Sequence, residues 1–172
     1  MHLAVAKVGW VERITQVNSL PAGELAARLR RCLAVPRWAD ELIGGRPYPD
    51  VEALCRRADE LTAGLSDAEV LAALADHPRI GDRPAGSGPT ASWSAAEQSG
   101  VDDDDVDPLR AANIEYEHQF GHIYLVCATG MSGQDMLADL RRRLTNSPNA
   151  ELAVVRRELA RIARTRLARV VE

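Results

Sequence analysis

The sequence predicts an all-α protein, a single compact bundle of about seven to eight helices with one extended segment near 121–128. Three observations carry that expectation. The chain holds 27 alanines but only one Phe, three Tyr and three Trp. Alanine loses no side-chain freedom on entering a helix, whereas strands draw on aromatic and β-branched residues. Apolar residues recur at steps of three and four along most of the chain, the spacing of one helix face. Only residues 121–130 read as a strand, and that run has no obvious partner.

Each element follows from local chemistry. Residues 19–33 carry Leu20, Ala26, Ala27, Leu29 and Leu33 among Arg and Glu, and residues 36–43 form a shorter piece with Trp38, Leu42 and Ile43. Gly44 to Pro49 is a loop by its Gly and Pro content. Residues 50–64 place Val51, Leu54, Cys55, Ala58 and Leu61 on one face, and Gly64 ends them. Ser66 with Glu69 is a capping box that opens the next helix, through about Ala75. Pro78 stops it, since the residue before a proline avoids the α region. Residues 78–93 are rich in Gly, Pro, Ser and Thr, and a loop that long is functional or disordered. Ser94 with Glu97 has the spacing of another capping box, and Asp102–Asp105 is an acidic turn. Asp107-Pro108 has the pattern of a cap followed by proline at the first helical position. Leu109, Ala112, Asn113, Tyr116 and Phe120 then trace one face. After the extended run, Ser132 with Asp135 caps a helix bearing Met136, Leu137, Leu140 and Leu144, and Ser147-Pro148 opens the last one.

Composition bounds the function. At 172 residues the chain has the length of one domain, 1–172, with residues 1–9 expected to be disordered. The net charge of −4 argues against general nucleic-acid binding. No apolar run approaches the ~18 residues of a membrane span, and the first residues lack the pattern of a signal peptide. The only lysine is Lys7, in a terminus expected to be floppy, which discounts Schiff-base and P-loop chemistry. Cys32, Cys55 and Cys127 form no Cys-x-x-Cys pair and read as buried small hydrophobes of a cytoplasmic protein.

Several residues could carry chemistry. His77 stands at the mouth of the long loop, where an imidazole can act as acid or base near neutrality or simply satisfy helix carbonyls. Ser94 and Glu97 share a helix face; Glu97 is either a pocket carboxylate or half of a cap. Arg166 continues the apolar stripe of Leu152, Val155, Leu159 and Ile162. A guanidinium there needs a partner or an anionic ligand, unless the helix end frays and carries it into water. The Arg runs at 141–143 and 156–157 read as solvated faces. His118 and His122 lack further ligands at suitable spacing, so no metal site is expected. The extended run raises a separate question. Its backbone groups, if buried, need partners, which could be a ligand, an overlooked strand or a helical conformation.

Taken in order, these pieces form a pattern: His77-Pro78, Ser94-x-x-Glu97-Gln98, Tyr116-x-x-x-Phe120-Gly121 and Ile162-Ala-Arg-Thr-Arg166-Leu167. Arg37-Trp38-Ala39, Arg46-Pro47-Tyr48 and Arg143-Leu144-x-Asn146 add to it. The ordered set resembles OHCU decarboxylase, which acts on 2-oxo-4-hydroxy-4-carboxy-5-ureidoimidazoline (OHCU), a late intermediate of urate degradation. The resemblance implies an all-α fold, a homodimer, no cofactor, and conversion of OHCU to (S)-allantoin with loss of carbon dioxide. It implies functional coupling to urate oxidase and hydroxyisourate hydrolase. It also implies a site in which His77 and Glu97 are catalytic and Pro78, Ser94, Glu97 and Arg166 bind substrate. Backbone groups of Gly121, His122, Ile123, Tyr124, Leu125 and Val126 would touch the same ligand. His118 stands where the family often has Lys, and His122 and Tyr124 stand where it usually has aromatic or apolar residues, which could alter the pocket wall.

Electrostatic stabilisation alone can support such a reaction. Loss of carbon dioxide leaves an enediolate-like carbanion delocalised onto a neighbouring carbonyl. Arg166 and the 121–126 backbone would hold the carbonyl and ring, Ser94 and Glu97 the ureido arm, and His77 would help deliver a proton to one face. Two other readings compete with the enzyme. One is a non-catalytic ligand-binding or regulatory protein of the same fold. The other is nucleic-acid binding by the Arg-rich C-terminal helix, which the net charge opposes.

Overall fold

A computed structural model describes residues 13–75, 77–82 and 89–171. Among these residues there are nine helices and no strand. They are α1 (13–19), α2 (Ala22–Cys32), α3 (Pro36–Gly44), α4 (Val51–Ala63), α5 (Asp67–Leu74), α6 (Pro89–Glu97), α7 (Asp103–Phe120), α8 (Gly133–Arg143) and α9 (Pro148–Val170). The expectations for residues 1–9, for Lys7 and for the middle of the long loop lie outside the described residues. The chain divides into two compact units, Met1–Leu65 with Ala160–Glu172, and Ser66–Leu159.

The first unit is organised around Trp38, which is fully buried. Its indole N–H lies 3.1 Å from Ala58 O and 3.0 Å from Thr62 Oγ1, which fixes α3 against α4. Asp50 caps α4 by accepting from Ala53 N at 2.7 Å. The loop after α3 is tied to the end of α1. Asn18 and Tyr48 exchange two hydrogen bonds of 2.8 and 2.9 Å, and Arg46 Nη1 donates to Leu20 O at 2.7 Å. These bonds explain why α1 escapes a reading by helix propensity. Ile14, Thr15 and Val17 are β-branched and weak helix formers, so the tertiary contacts decide. Arg164 closes the unit by bonding Glu52 and Asp59 on α4.

The second unit holds the expected capping boxes at Ser66–Glu69 and Ser132–Asp135. Two local expectations are corrected. Helix α7 starts at Asp103, before Asp107-Pro108, and Pro108 lies inside it. The acidic run supplies the reason: Asp103, Asp104 and Asp105 fill its first turn, where carboxylates face the positive end of the helix dipole. Asp105 also reaches back to accept from Asp102 N at 3.4 Å. Likewise, Ser94 and Glu97 do not open a helix, because α6 begins at Pro89 and they form its last turn. The core joins Ile80, Leu109, Ala112, Tyr116, Tyr124, Val126, Ala128, Met136 and Leu140, so the turn after α5, the extended segment, α7 and α8 share one apolar interior.

Candidate active site

His77 and Pro78 sit in the turn that follows α5. His77 N donates to Leu74 O at 3.0 Å, and ring Nδ1 lies 3.0 Å from Ala73 O. A carbonyl can only accept, so this contact puts the proton of the neutral ring on Nδ1. The buried Nε2 is then the basic nitrogen. The helix-end role and the acid–base role are therefore compatible: one nitrogen serves the carbonyl and orients the other.

Three side chains fix the rest of the turn. Gln98, one residue beyond α6, accepts from Gly81 N at 3.1 Å and donates to Arg79 O at 3.4 Å. Asn113 Nδ2 on α7 donates to Ile80 O at 2.9 Å. Arg79 pairs with Glu117 through two bonds of 2.5 and 2.8 Å. The hydrogen bond from Arg79 holds the Glu117 carboxyl below the usual carboxylate range. Gln98 thereby joins the His77-Pro78 turn to the helix that carries buried Ser94 and half-buried Glu97. A cleft of about 590 Å³ opens beside this clamp, bounded by Gly81, Asp82, Ala95, Gln98, Val101 and Arg110 among others. None of the residues expected from the sequence lines it.

The extended segment starts at Gly121, which closes α7 at φ 74°. Only a residue without a Cβ adopts that left-handed turn at no steric cost. Residues 124–128 are buried yet belong to no strand ladder. Side chains supply partners for two of their main-chain groups. Arg143 Nη1 donates to Leu125 O at 2.8 Å, and Glu158 Oε2 accepts from Cys127 N at 2.8 Å. His122 Nδ1 lies 3.0 Å from Ile123 O. The Tyr124 ring is buried, and its hydroxyl meets Asp139 at 2.8 Å and Met136 O at 3.2 Å. Its phenol is thus committed to the core.

Arg143 was expected on a solvated face and is instead completely buried. It continues the stripe of Met136 and Leu140, the same pattern that marked Arg166. Its guanidinium bonds Glu151 at 2.7 and 2.5 Å and lies 4.8 Å from the Tyr124 ring centroid. Tyr116 O–H and Asn146 Nδ2 also donate to Glu151. Burial works to raise the Glu151 pKa, but the bonds from Arg143, Tyr116 and Asn146 outweigh it and hold the carboxyl below its ordinary range. Burial pushes the Tyr116 and Tyr124 hydroxyls far above a usual phenol. Arg156, another supposed surface residue, is partly buried and pairs with Asp67 at 2.6 Å.

The second unit therefore contains His77, Pro78, Ser94, Glu97 and the 121–126 segment. Arg166 belongs to the first unit, where it is 3% exposed, so the alternative of a frayed, solvated end does not apply. Arg143, Glu151 and Glu158 escaped the functional reading of the sequence. Arg143 and Asn146 belong to the ordered pattern of the sequence, and the apolar stripe of Met136 and Leu140 points to Arg143. Glu158 flanks the apolar face of its helix and gave no such cue.

Comparison with known proteins bears on what this arrangement is for. Residues 18–168 match the family model of OHCU decarboxylase. The chain is 28% identical over 145 residues to the uric acid degradation bifunctional protein TTL of Arabidopsis thaliana, covering 81% of this chain and 45% of that protein. It is 26% identical over 166 residues to the 2-oxo-4-hydroxy-4-carboxy-5-ureidoimidazoline decarboxylase of Amia calva, covering 91% of this chain and 93% of that one. It thus spans less than half of the bifunctional relative and nearly all of the Amia protein. The fold matches a crystal structure of OHCU decarboxylase in the presence of (S)-allantoin, with a TM-score of 0.71 at 22% identity, over 83% of this chain and 95% of that one. The matched span takes in His77-Pro78, Ser94-x-x-Glu97-Gln98, Gly121–Val126 and Arg166, and the chain belongs to the OHCU decarboxylase family.

Proposed function

We propose that this protein is a carboxy-lyase that converts OHCU to (S)-allantoin without a cofactor. The observation that carries the reading is the Gln98 clamp, which joins the His77-Pro78 turn to the Ser94–Glu97 helix in a chain of this family. In the proposed reaction the bond to the carboxylate breaks and carbon dioxide leaves. The electron pair spreads into the ring, which takes up one proton. The carbon that lost the carboxylate becomes the carbonyl of allantoin as its hydroxyl gives up a proton, and a proton is added to the neighbouring, ureido-bearing carbon. The basic His77 Nε2, oriented by the bond from Nδ1 to Ala73 O, is suited to take the hydroxyl proton and return it to that carbon on one face. Glu97 and Ser94 would hold N–H and carbonyl groups of the ureido arm. Main-chain groups of Gly121, His122, Ile123, Tyr124, Leu125 and Val126 would stabilise the charge left on the ring. Arg166 is assigned to the carbonyl and ring of the substrate; its place in the site comes from the resemblance alone.

The protein is further proposed to be a cytoplasmic homodimer that takes its substrate from a ring-opening hydrolase acting after urate oxidase. No helix among the described residues is long and apolar enough to cross a membrane.

The test generates OHCU from urate with urate oxidase and hydroxyisourate hydrolase, and follows circular dichroism with and without this protein. Rapid appearance of optically active allantoin is the expected result. Slow decay to racemic product, unchanged by folded protein, would overturn the reading in favour of a binding protein of the same fold.

A further inference from the structure

The bonds to Leu125 O and Cys127 N have a regularity that their chemistry does not require. In an extended chain the N–H and C=O of alternate residues face the same edge. Leu125 and Cys127 are two residues apart, so Arg143 and Glu158 meet the same edge of the segment, one as donor and one as acceptor. That is the bonding a neighbouring strand would supply. Here two charged side chains supply it, one from the end of α8 and one from α9. By the same alternation, the N–H and C=O groups of Tyr124 and Val126 belong to the opposite edge of an extended run.

We propose that Arg143 and Glu158 are positioning residues for the proposed decarboxylation: together they act as a surrogate strand that sets the rotation of the 123–128 segment and aims the Tyr124 and Val126 main chain at the substrate. The inference rests on the decarboxylase reading. Neither side chain touches the reacting atoms; both act through peptide groups. Arg143 is itself held by Glu151 and packed against the Tyr124 ring, so its guanidinium has one orientation available. Glu158 is half-buried, so its replacement disturbs the core least.

The experiment compares the wild type with Glu158→Ala, Glu158→Gln and Arg143→Lys. Three quantities are read: steady-state turnover of OHCU, (S)-allantoin affinity by calorimetry, and exchange of the Cys127 amide proton by NMR. Loss of one charge-assisted bond is expected to raise the KM for OHCU and the Kd for (S)-allantoin about tenfold in Glu158→Ala, with a smaller fall in kcat. The Cys127 amide should exchange faster in the same variant. Glu158→Gln keeps an acceptor and should restore most of the affinity. Arg143→Lys keeps the charge but shortens the reach to Leu125 O, and should raise KM as well; it decides the matter if Glu158→Ala does not fold. Wild-type KM in a folded Glu158→Ala or Arg143→Lys protein would overturn the inference. So would a Glu158→Gln protein as impaired as Glu158→Ala. If the wild type is active and the variants match it, only the positioning role fails. If the wild type neither turns over OHCU nor binds (S)-allantoin, the decarboxylase reading fails first and this inference falls with it.

Discussion

Arg143 and Glu151 form an ion pair whose side chains are 1% and 0% exposed. The carboxylate takes two bonds from the guanidinium, at 2.7 and 2.5 Å, and one from Asn146 at 2.7 Å. Tyr116 donates to the same carboxylate. Such a pair gains little over an apolar replacement, because both ions lose their hydration. Breaking it from one side is another matter, since a charge is left buried without its counter-ion. Glu151→Gln should therefore destabilise the protein by about 3–5 kcal/mol, measured by urea unfolding. Replacing both residues by apolar ones of similar size should cost less than either single change. Additive losses would contradict the pairing.

The pair also sets the response to acid. The folded-state pKa of Glu151 lies below its unfolded value of about 4.3, so the group contributes stability above that value and loses it as pH falls through the folded pKa. Asp139 is shifted the same way: burial raises it, but bonds from Arg142 and Tyr124 and the charge of Arg143 outweigh that. Wild-type stability should fall as the pH drops below the unfolded carboxylate values of about 4 and through the lower folded ones. Glu151→Gln, less stable at pH 7, should show a shallower fall over that range. Parallel pH profiles from chemical denaturation would remove Glu151 from the acid response.

For the reaction itself, His77→Ala and Glu97→Ala should lose most turnover while remaining folded. A general acid or base typically contributes about 10²–10⁴-fold, so His77→Ala should fall in that range by the circular dichroism assay. Normal activity in well-folded His77→Ala would exclude the residue from the mechanism. Arg166→Lys should weaken substrate binding, because the planar fork is lost while the charge stays; an unchanged KM would contradict the assignment.

Gln98 offers a different test, since it bonds only main-chain atoms of the turn. Gln98→Ala removes one accepted and one donated bond. It should cost about 1–2 kcal/mol of stability and raise KM more than it lowers kcat. Gln98→Glu keeps the acceptor for Gly81 N but loses the donor to Arg79 O, and should lie between the two. A Gln98→Ala protein with wild-type KM and reduced melting temperature would make the clamp purely structural.

Much of the fold was legible because it rests on local chemistry. The boxes at Ser66–Glu69 and Ser132–Asp135, the stop at Gly64 and the start at Pro148 are each a matter of a few neighbouring residues. What escaped was decided at a distance. Helix α1 depends on Asn18 and Arg46 bonding across the fold. Ser94–Glu97 has the spacing of a cap, yet an earlier start at Pro89 turns it into a helix end. Pro108 looked like a first residue because the acidic run before it offers no apolar periodicity. Of the proposed site residues, His77 and Arg166 stood out as chemistry in unusual places, whereas Glu97 read equally as half of a cap. Arg143 did not stand out, since a run of three arginines resembles a solvated face until tertiary packing buries one of them.

The grip on Leu125 and Cys127 has an evolutionary corollary. Arg143 and Glu158 hold main-chain atoms, which every residue type provides. Side chains of the 121–128 run that neither fill the core nor bond as Tyr124 does are therefore spared the duty of fixing its path and can drift. A lineage could change those positions, one substitution at a time, without rebuilding the frame that holds the main chain.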